Sequence, residues 1–394
     1  LFRTLDGGLF SEKAGKADVG DAVSKLQAEG GTLMCWADPF YPDRVIPQKV
    51  LERSVEVIQQ GVACHYTPPI GNADLKEVIA KKIERDNHIK VNPQRNIIIN
   101  PGSDVGLYFA MTPFIEPGDE VLVHDPSYPS NFLDPQLLNG VVVKVPTYEE
   151  DNYRLRVEEY EKRLTPKTKM VLLSSPNNPT GRVFTREELT ELSQFIIKHD
   201  LICVCDQAFE DTAFPGHEMV TMASLPGMWE RTVSCSSLSK TYSITGWRLG
   251  YIIAPEEIID RAKKVHDFLT VGCAAPLQEA VIPGLEFGQD YYDDLLAKYT
   301  HKKDLFLKGL DDLHISHNDP EGAYYVLLDI REYGYESDLQ FCKNLAREVG
   351  VGAVPGSSFF REPVNHLIRM HFARGTDVLD EAVRRLEKLQ ALLK

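Results

Sequence analysis

Ser236-Ser237-Leu238-Ser239-Lys240 closes an apolar run, and eight residues beyond the lysine stands Arg248, inside Thr245-Gly246-Trp247-Arg248-Leu249-Gly250. A lysine and an arginine beside three hydroxyls suit two chemistries: holding a phosphate, or forming a Schiff base through the lysine amine. A surface basic loop is the bland reading, and Trp247 with the neighbouring apolar run argues against it. Asp206 ends the run Leu201–Cys205. A carboxylate there either caps the next turn or faces a cationic ligand at the edge of a sheet, because a buried carboxylate stays ionised only when paired. Ser174-Ser175-Pro176-Asn177-Asn178-Pro179-Thr180-Gly181 follows another such run. It is either an ordinary turn or a loop whose prolines aim a side-chain amide at a ligand oxygen. Gly102-Ser103-Asp104 opens a helical pattern, whose first N–H groups and dipole favour a phosphate. Arg369 lies in the apolar run Leu367-Ile368-Arg369-Met370-His371-Phe372-Ala373 and calls for a carboxylate, from the protein or from an acidic substrate.

Other chemistries find less support. Ser237–Lys240 matches the SxxK of penicillin-recognising enzymes, but their SDN and KTG tripeptides are absent. GxGxxG, a Walker A loop and HExxH are absent too. The 11 histidines show no ligand spacing, so no metal is expected, and Cys203 and Cys205 read as core thiols.

These residues need a scaffold that brings loops together. Asn96–Ile99, Glu120–Val123, Val141–Val145, Met170–Leu173, Leu201–Cys205, Thr232–Cys235 and Tyr251–Ile253 read as strands buried on both faces. Amphipathic helices lie between them. Leu75, Val78, Ile79 and Ile83 keep helical spacing, and Thr185 with Glu188 forms a capping-box start. The alternation predicts a large α/β domain with a mainly parallel sheet flanked by helices, over residues 48–288, binding ligands at the strands' carboxyl ends. From about Tyr291 the pattern changes: a long charged helix, Ala323–Asp329, a helix at Asp338–Glu348, a strand near Val351–Val354 and a terminal helix from Thr376. This predicts a smaller α+β domain over residues 289–394, completed by an N-terminal arm of residues 1–47.

Composition limits the partners. Of 394 residues, 43% are apolar and 26% charged, as in a folded globular protein. The net charge of −15 disfavours nucleic acid. No run reaches the roughly 20 apolar residues of a membrane helix. Seven cysteines without a CxxC suit a reducing, cytoplasmic compartment. Leu1-Phe2-Arg3 has neither a methionine nor a signal-peptide pattern and reads as a trimmed terminus.

Taken in order and spacing, NNPTG, Asp206, SxSK with its arginine, and the RxxFA arginine resemble the class I/II aminotransferases of fold type I, which use pyridoxal phosphate. The resemblance implies that Lys240 carries the cofactor as a Schiff base and later moves the proton at the substrate Cα. Asp206 would pair with the ring nitrogen. Asn178 would bond the ring's phenolic oxygen, and Tyr128 would stack on the ring. Ser103, Asp104, Ser237 and Arg248 would hold the phosphate, joined by Tyr66 from a second subunit of an obligate homodimer. Arg369, with Asn178, would clamp the substrate α-carboxylate. The implied reaction moves an amino group from an L-amino acid to a 2-oxo acid. Three departures stand out. Phe209 replaces the usual tyrosine three residues after the aspartate. Cys35-Trp36-Ala37-Asp38-Pro39 replaces a G-x-G-x-P roof, placing Trp36 over the substrate. Asp104 replaces a neutral residue and is expected to cap its helix and point away. Phe209 and the altered roof keep open a lyase, cyclase or oxidase acting on an L-amino acid. A cofactor-binding sensor is disfavoured, because no basic DNA-binding segment is present.

Overall fold

The computed structural model describes residues 21–35, 38–39 and 45–393. Trp36 lies outside them. Among the described residues the apolar runs build a seven-stranded sheet from β2 (Ile97–Asn100), β3 (Glu120–Asp125), β4 (Val141–Pro146), β5 (Thr168–Ser174), β6 (Ile202–Gln207), β7 (Thr232–Ser237) and β8 (Gly250–Ile253), after a short β1 (Thr32–Leu33). The spatial order is β2-β8-β7-β6-β5-β3-β4. From β7 through β4 the pairs are parallel, and β8 runs antiparallel to both of its neighbours. The interior strands are covered on both faces, which is why they read as unbroken apolar runs and not as alternating ones.

Two readings of this sheet change. The strands run on past their apolar stretch: β5 includes Ser174, β6 includes Asp206 and Gln207, and β7 includes Ser236 and Ser237. Polar residues end the hydrophobic pattern, but the backbone ladder continues because Ser174 pairs with Asp206 and Asp206 with Cys235. Secondly, β4 is not buried on both faces. It is an edge strand, with Val141 47% exposed.

Local signals place the helices. Thr185 Oγ1 accepts the Glu188 N–H at 3.2 Å and a Glu188 carboxylate oxygen accepts the Thr185 N–H at 2.7 Å, closing the capping box that starts Arg186–Lys198. The other oxygen of Glu188 accepts Leu155 N–H at 2.9 Å, so the cap also ties a distant loop to the helix.

A second, antiparallel sheet forms from β9 (Tyr325–Asp329), β11 (Val354–Pro355) and β12 (Leu367–His371), in the order β11-β12-β9. The single strand expected near Val351–Val354 is two. Its first half, β10 (Val351–Gly352), pairs in parallel with β1, and only its second half joins β12. Ala353, buried between them, marks the change of partner. The helix from Asp338 is also shorter than expected, closing at Asn344 before a wider turn over Leu345–Val349. The terminal helix Thr376–Leu386 buries Leu379, Ala382 and Leu386 against this second sheet's core.

Candidate active site

The carboxyl ends of β5, β6 and β7 lie side by side and present Ser174, Asp206 and Ser237. Asp206 is buried, and its carboxylate accepts the Ala208 N–H at 3.2 Å, the Ser174 hydroxyl at 3.3 Å and a longer contact of 3.5 Å from the Asn131 amide. Burial first, then the charge of Asp104, push its pKa up to about 6. A carboxylate so placed is stabilised in its ionised form by a cation opposite it.

Lys240 follows β7, at the end of the Ser236–Lys240 turn. Burial of its amine pulls the pKa down to about 8, with Asp38 opposing that shift. About a tenth of such an amine is neutral and nucleophilic at pH 7, far more than of an ordinary lysine. Ser239, three residues after Ser236, is buried with a hydroxyl oxygen that no protein group bonds.

Close packing shapes the space next to this turn. Gly102 has φ +91°, and a Cβ there would lie 2.3 Å from an Arg248 terminal nitrogen. A Cβ on Gly250 would lie 2.7 Å from the Ser236 carbonyl and 3.0 Å from the Ser103 nitrogen. Both positions must be glycine for Arg248, Ser236 and the start of helix Ser103–Met111 to converge. The expected cap is not found. Gly102 holds the N-cap position, and Asp104 falls within the first turn. Its charge bears on Tyr128, Asp134, Asp206 and Lys240, so it faces the site and does not point away.

Arg369, on β12, comes from the second sheet. It is 3% exposed, donates to Asn178 Oδ1 at 2.8 Å and to the Cys35 carbonyl at 3.1 Å, and lies between the rings of Tyr325 and Phe359, 4.3 and 4.5 Å from their centroids. Its Nε has no partner. The sequence left open whether its acid belongs to the protein or to a substrate. Among the described residues its hydrogen bonds reach no carboxylate, which leaves a buried cation ready for an external acid.

Tyr128 lies where Asp104 and Arg369 both act on it, and burial pushes its hydroxyl up. Tyr66 is 90% exposed within one chain. Phe209 is buried edge-on to Tyr324 and Tyr325, at 5.1 and 5.4 Å between ring centres. Two residues escaped the sequence reading. Asn131 and Asp134 lie three apart on helix Pro129–Leu137, directly after Tyr128. Asn131 supports Asp206. The Asp134 carboxyl is pushed up to about 8 by burial and by the charges of Asp104 and Asp206, and one oxygen lacks a partner. Two polar residues three apart beside apolar Phe132 and Leu133 were the available signal.

The sequence pattern of the family described as aminotransferase class I and II matches residues 34–386. The chain belongs to this family. It is 32% identical to an aromatic-amino-acid aminotransferase of Thermococcus litoralis, over 88% of this chain and 89% of that protein. It is 33% identical to a methionine aminotransferase of Escherichia coli, over 89% and 90%. Among solved structures, an aromatic aminotransferase from Pyrococcus horikoshii superposes with a TM-score of 0.87 at 31% identity, covering 95% of this chain and 100% of that one. This aminotransferase therefore has the fold type I architecture, and the family to which it belongs works with pyridoxal phosphate on amino acids and 2-oxo acids. Among the described residues of the aminotransferase, no helix is long and apolar enough to cross a membrane.

Proposed function

We propose that this chain transfers the amino group of an L-amino acid to a 2-oxo acid, with pyridoxal phosphate carried on Lys240. The observation that carries this reading is the pairing, in one site, of a lysine amine held near pKa 8 with a buried arginine that hydrogen-bonds no acid among the described residues. The residues present fit the cofactor. Gly102 and Gly250 let Ser103, Ser236 and Arg248 approach one another closely, which gathers the groups a phosphate would bond, and the Ser239 hydroxyl in the adjoining turn has no protein partner. Ser103 and Asp104 supply free helix-start N–H groups, and Ser237 and Arg248 add a hydroxyl and a charge. Asp206 would hold the protonated ring nitrogen, while Tyr128 would pack on the ring and the Asn178 amide nitrogen, whose oxygen accepts Arg369, would serve the phenolic oxygen.

When bound, pyridoxal phosphate supplies the electron sink that makes the donor's Cα–H acidic. The remaining work belongs to the chain. Arg369 grips the α-carboxylate, already oriented by Asn178 and two rings, so little freedom is lost on binding. Lys240 Nζ, partly neutral at working pH, accepts the Cα proton. Two relatives named for aromatic amino acids and methionine support aromatic or thioether donors, and one named for aspartate puts an acidic donor beside them in the titration. The test is the visible spectrum of the pure protein titrated with single amino acids. A donor should bleach the imine band and a 2-oxo acid should restore it; ammonia or peroxide in place of a 2-oxo acid product would assign a lyase or an oxidase instead.

The same reading makes the working unit a homodimer in a cytoplasm-like compartment, with residues 48–288 as the cofactor domain and 1–47 with 289–394 as the smaller one. Leu51, Val55 and Ile58 on helix Gln48–Gln59 are exposed, as are Phe268 and Leu269 at the end of Glu256–Thr270 and the nearby Tyr66. Exposed apolar side chains in such number support a covered face. Phe268→Asp should yield monomers in sedimentation and lose activity with them. A monomeric wild type at full activity would overturn the shared site.

A further inference from the structure

Lys82, in the middle of helix Ala73–Asn87, stands four residues before Asp86, the spacing of a solvated helix ion pair. It is 3% exposed. Its ammonium donates to Asp86 at 3.0 Å, to Glu210 at 3.4 Å and to Asp211 at 3.0 Å. The last two directly follow Phe209, four and five residues after Asp206. From there the contacts lead to the Lys240 turn by two routes. Asp211 accepts the hydroxyl of Thr241, the residue after Lys240, at 2.6 Å. Glu210 accepts the Ser236 hydroxyl of β7 at 3.2 Å and the Tyr251 hydroxyl of β8 at 2.7 Å. The Thr241 carbonyl in turn accepts the Tyr291 hydroxyl at 2.7 Å.

Burying an ammonium costs several kcal/mol, and packing alone would be served as well by an apolar side chain. An apolar residue would not neutralise Glu210 and Asp211. Without a cation those adjacent carboxylates repel each other and desolvate poorly, and at least one relaxes toward water, releasing Thr241 or Ser236. The surrounding acids hold Lys82 well above the usual lysine range, so it stays charged under all working conditions.

We propose that Lys82 is a positioning residue for catalysis: its buried charge holds Asp211 on Thr241 and Glu210 on Ser236, and so fixes both ends of the turn that aims Lys240. This rests on the reading of Lys240 as the cofactor-carrying lysine. The test compares Lys82→Met, Lys82→Arg, Thr241→Val and the Lys82→Met/Thr241→Val pair in the cofactor-loaded enzyme. Lys82→Met should lower kcat about 10- to 100-fold with KM little changed, as a small misplacement of a reacting group does. It should also move the pH midpoint of the visible imine band. Lys82→Arg should recover most of both. Thr241→Val, which leaves the ion cluster whole, should show a kcat loss in the same direction, and the double variant should lose less than the product of the single losses. Loss of denaturant stability with kcat and midpoint unchanged would reduce Lys82 to a structural brace and overturn the proposal. If Lys82→Met does not fold, Thr241→Val decides alone, and a wild-type kcat and midpoint for it would overturn the proposal. Lys240→Ala, assayed alongside, separates the two readings: activity there would sink the role of Lys240 itself, whereas an inactive Lys240→Ala with unaffected Lys82 and Thr241 variants sinks only the positioning role.

Discussion

Lys240→Ala should lose the visible imine band and lower turnover by at least about 10⁴-fold, because the same amine both carries the cofactor and moves the Cα proton. The fold should survive. In the cofactor-free protein the amine titrates near 8, below the ordinary lysine value. Between that pH and about 10.4 the unfolded chain binds more protons than the folded one, so wild-type stability rises with pH across this window. Below it the buried amine costs about 3 kcal/mol, a cost that the alanine variant does not carry. Urea denaturation of both cofactor-free proteins at pH 7 and pH 10 checks the sign. The variant should gain on the wild type at pH 7, less the packing lost with the side chain, and most of this advantage should be gone by pH 10. An active variant would remove Lys240 from the mechanism.

Asp206→Asn should keep the shape of the β6 end and lose about 10³- to 10⁴-fold in kcat/KM, since a neutral amide does not hold a cation in a desolvated site. Here the pH dependence runs the other way. With a folded pKa near 6, above the unfolded value of about 3.9, the folded cofactor-free protein binds the extra proton between those limits. Its stability therefore falls as pH rises through the window, by about 3 kcal/mol in all. The asparagine variant lacks that fall. A protein that is more stable at pH 7 yet far less active is the expected outcome, and weaker cofactor retention on dialysis should accompany it. An unchanged kcat/KM would show that Asp206 is only a strand-end cap.

Lys240 and Asp206 stood out in the sequence because each interrupts an apolar run with a group that is costly to bury. The same abruptness hid the strand ends: Ser174, Asp206 and Ser237 stop the hydrophobic pattern while remaining in the ladder, so the site begins inside the sheet and not beyond it. Thr185 and Glu188 were legible because a capping box is local. Lys82 was not. Its spacing to Asp86 is that of a solvated helix pair, and only the return of the chain at Glu210 and Asp211 makes it interior. Asn131 and Asp134 were missed for a related reason, since their partners Asp206 and Asp104 come from other elements. The division of Val351–Pro355 between two sheets was likewise invisible, because an apolar run does not say which strand it will pair with.

That division sets an order of assembly on the ribosome. Thr32 pairs with Val351, more than three hundred residues later, and the carbonyls of Leu33 and Cys35 are bonded by Arg374 and Arg369, later still. At about 5–20 residues per second the first described strand waits roughly 15–60 s after its synthesis for its partner to be made. The sheet that carries Asp206, Ser237 and Lys240 has all of its strands by Ile253. The phosphate side of the site is thus available to take shape while the nascent chain is still growing, and the side that grips the substrate's carboxylate is closed later, by joining a late segment to one made long before it.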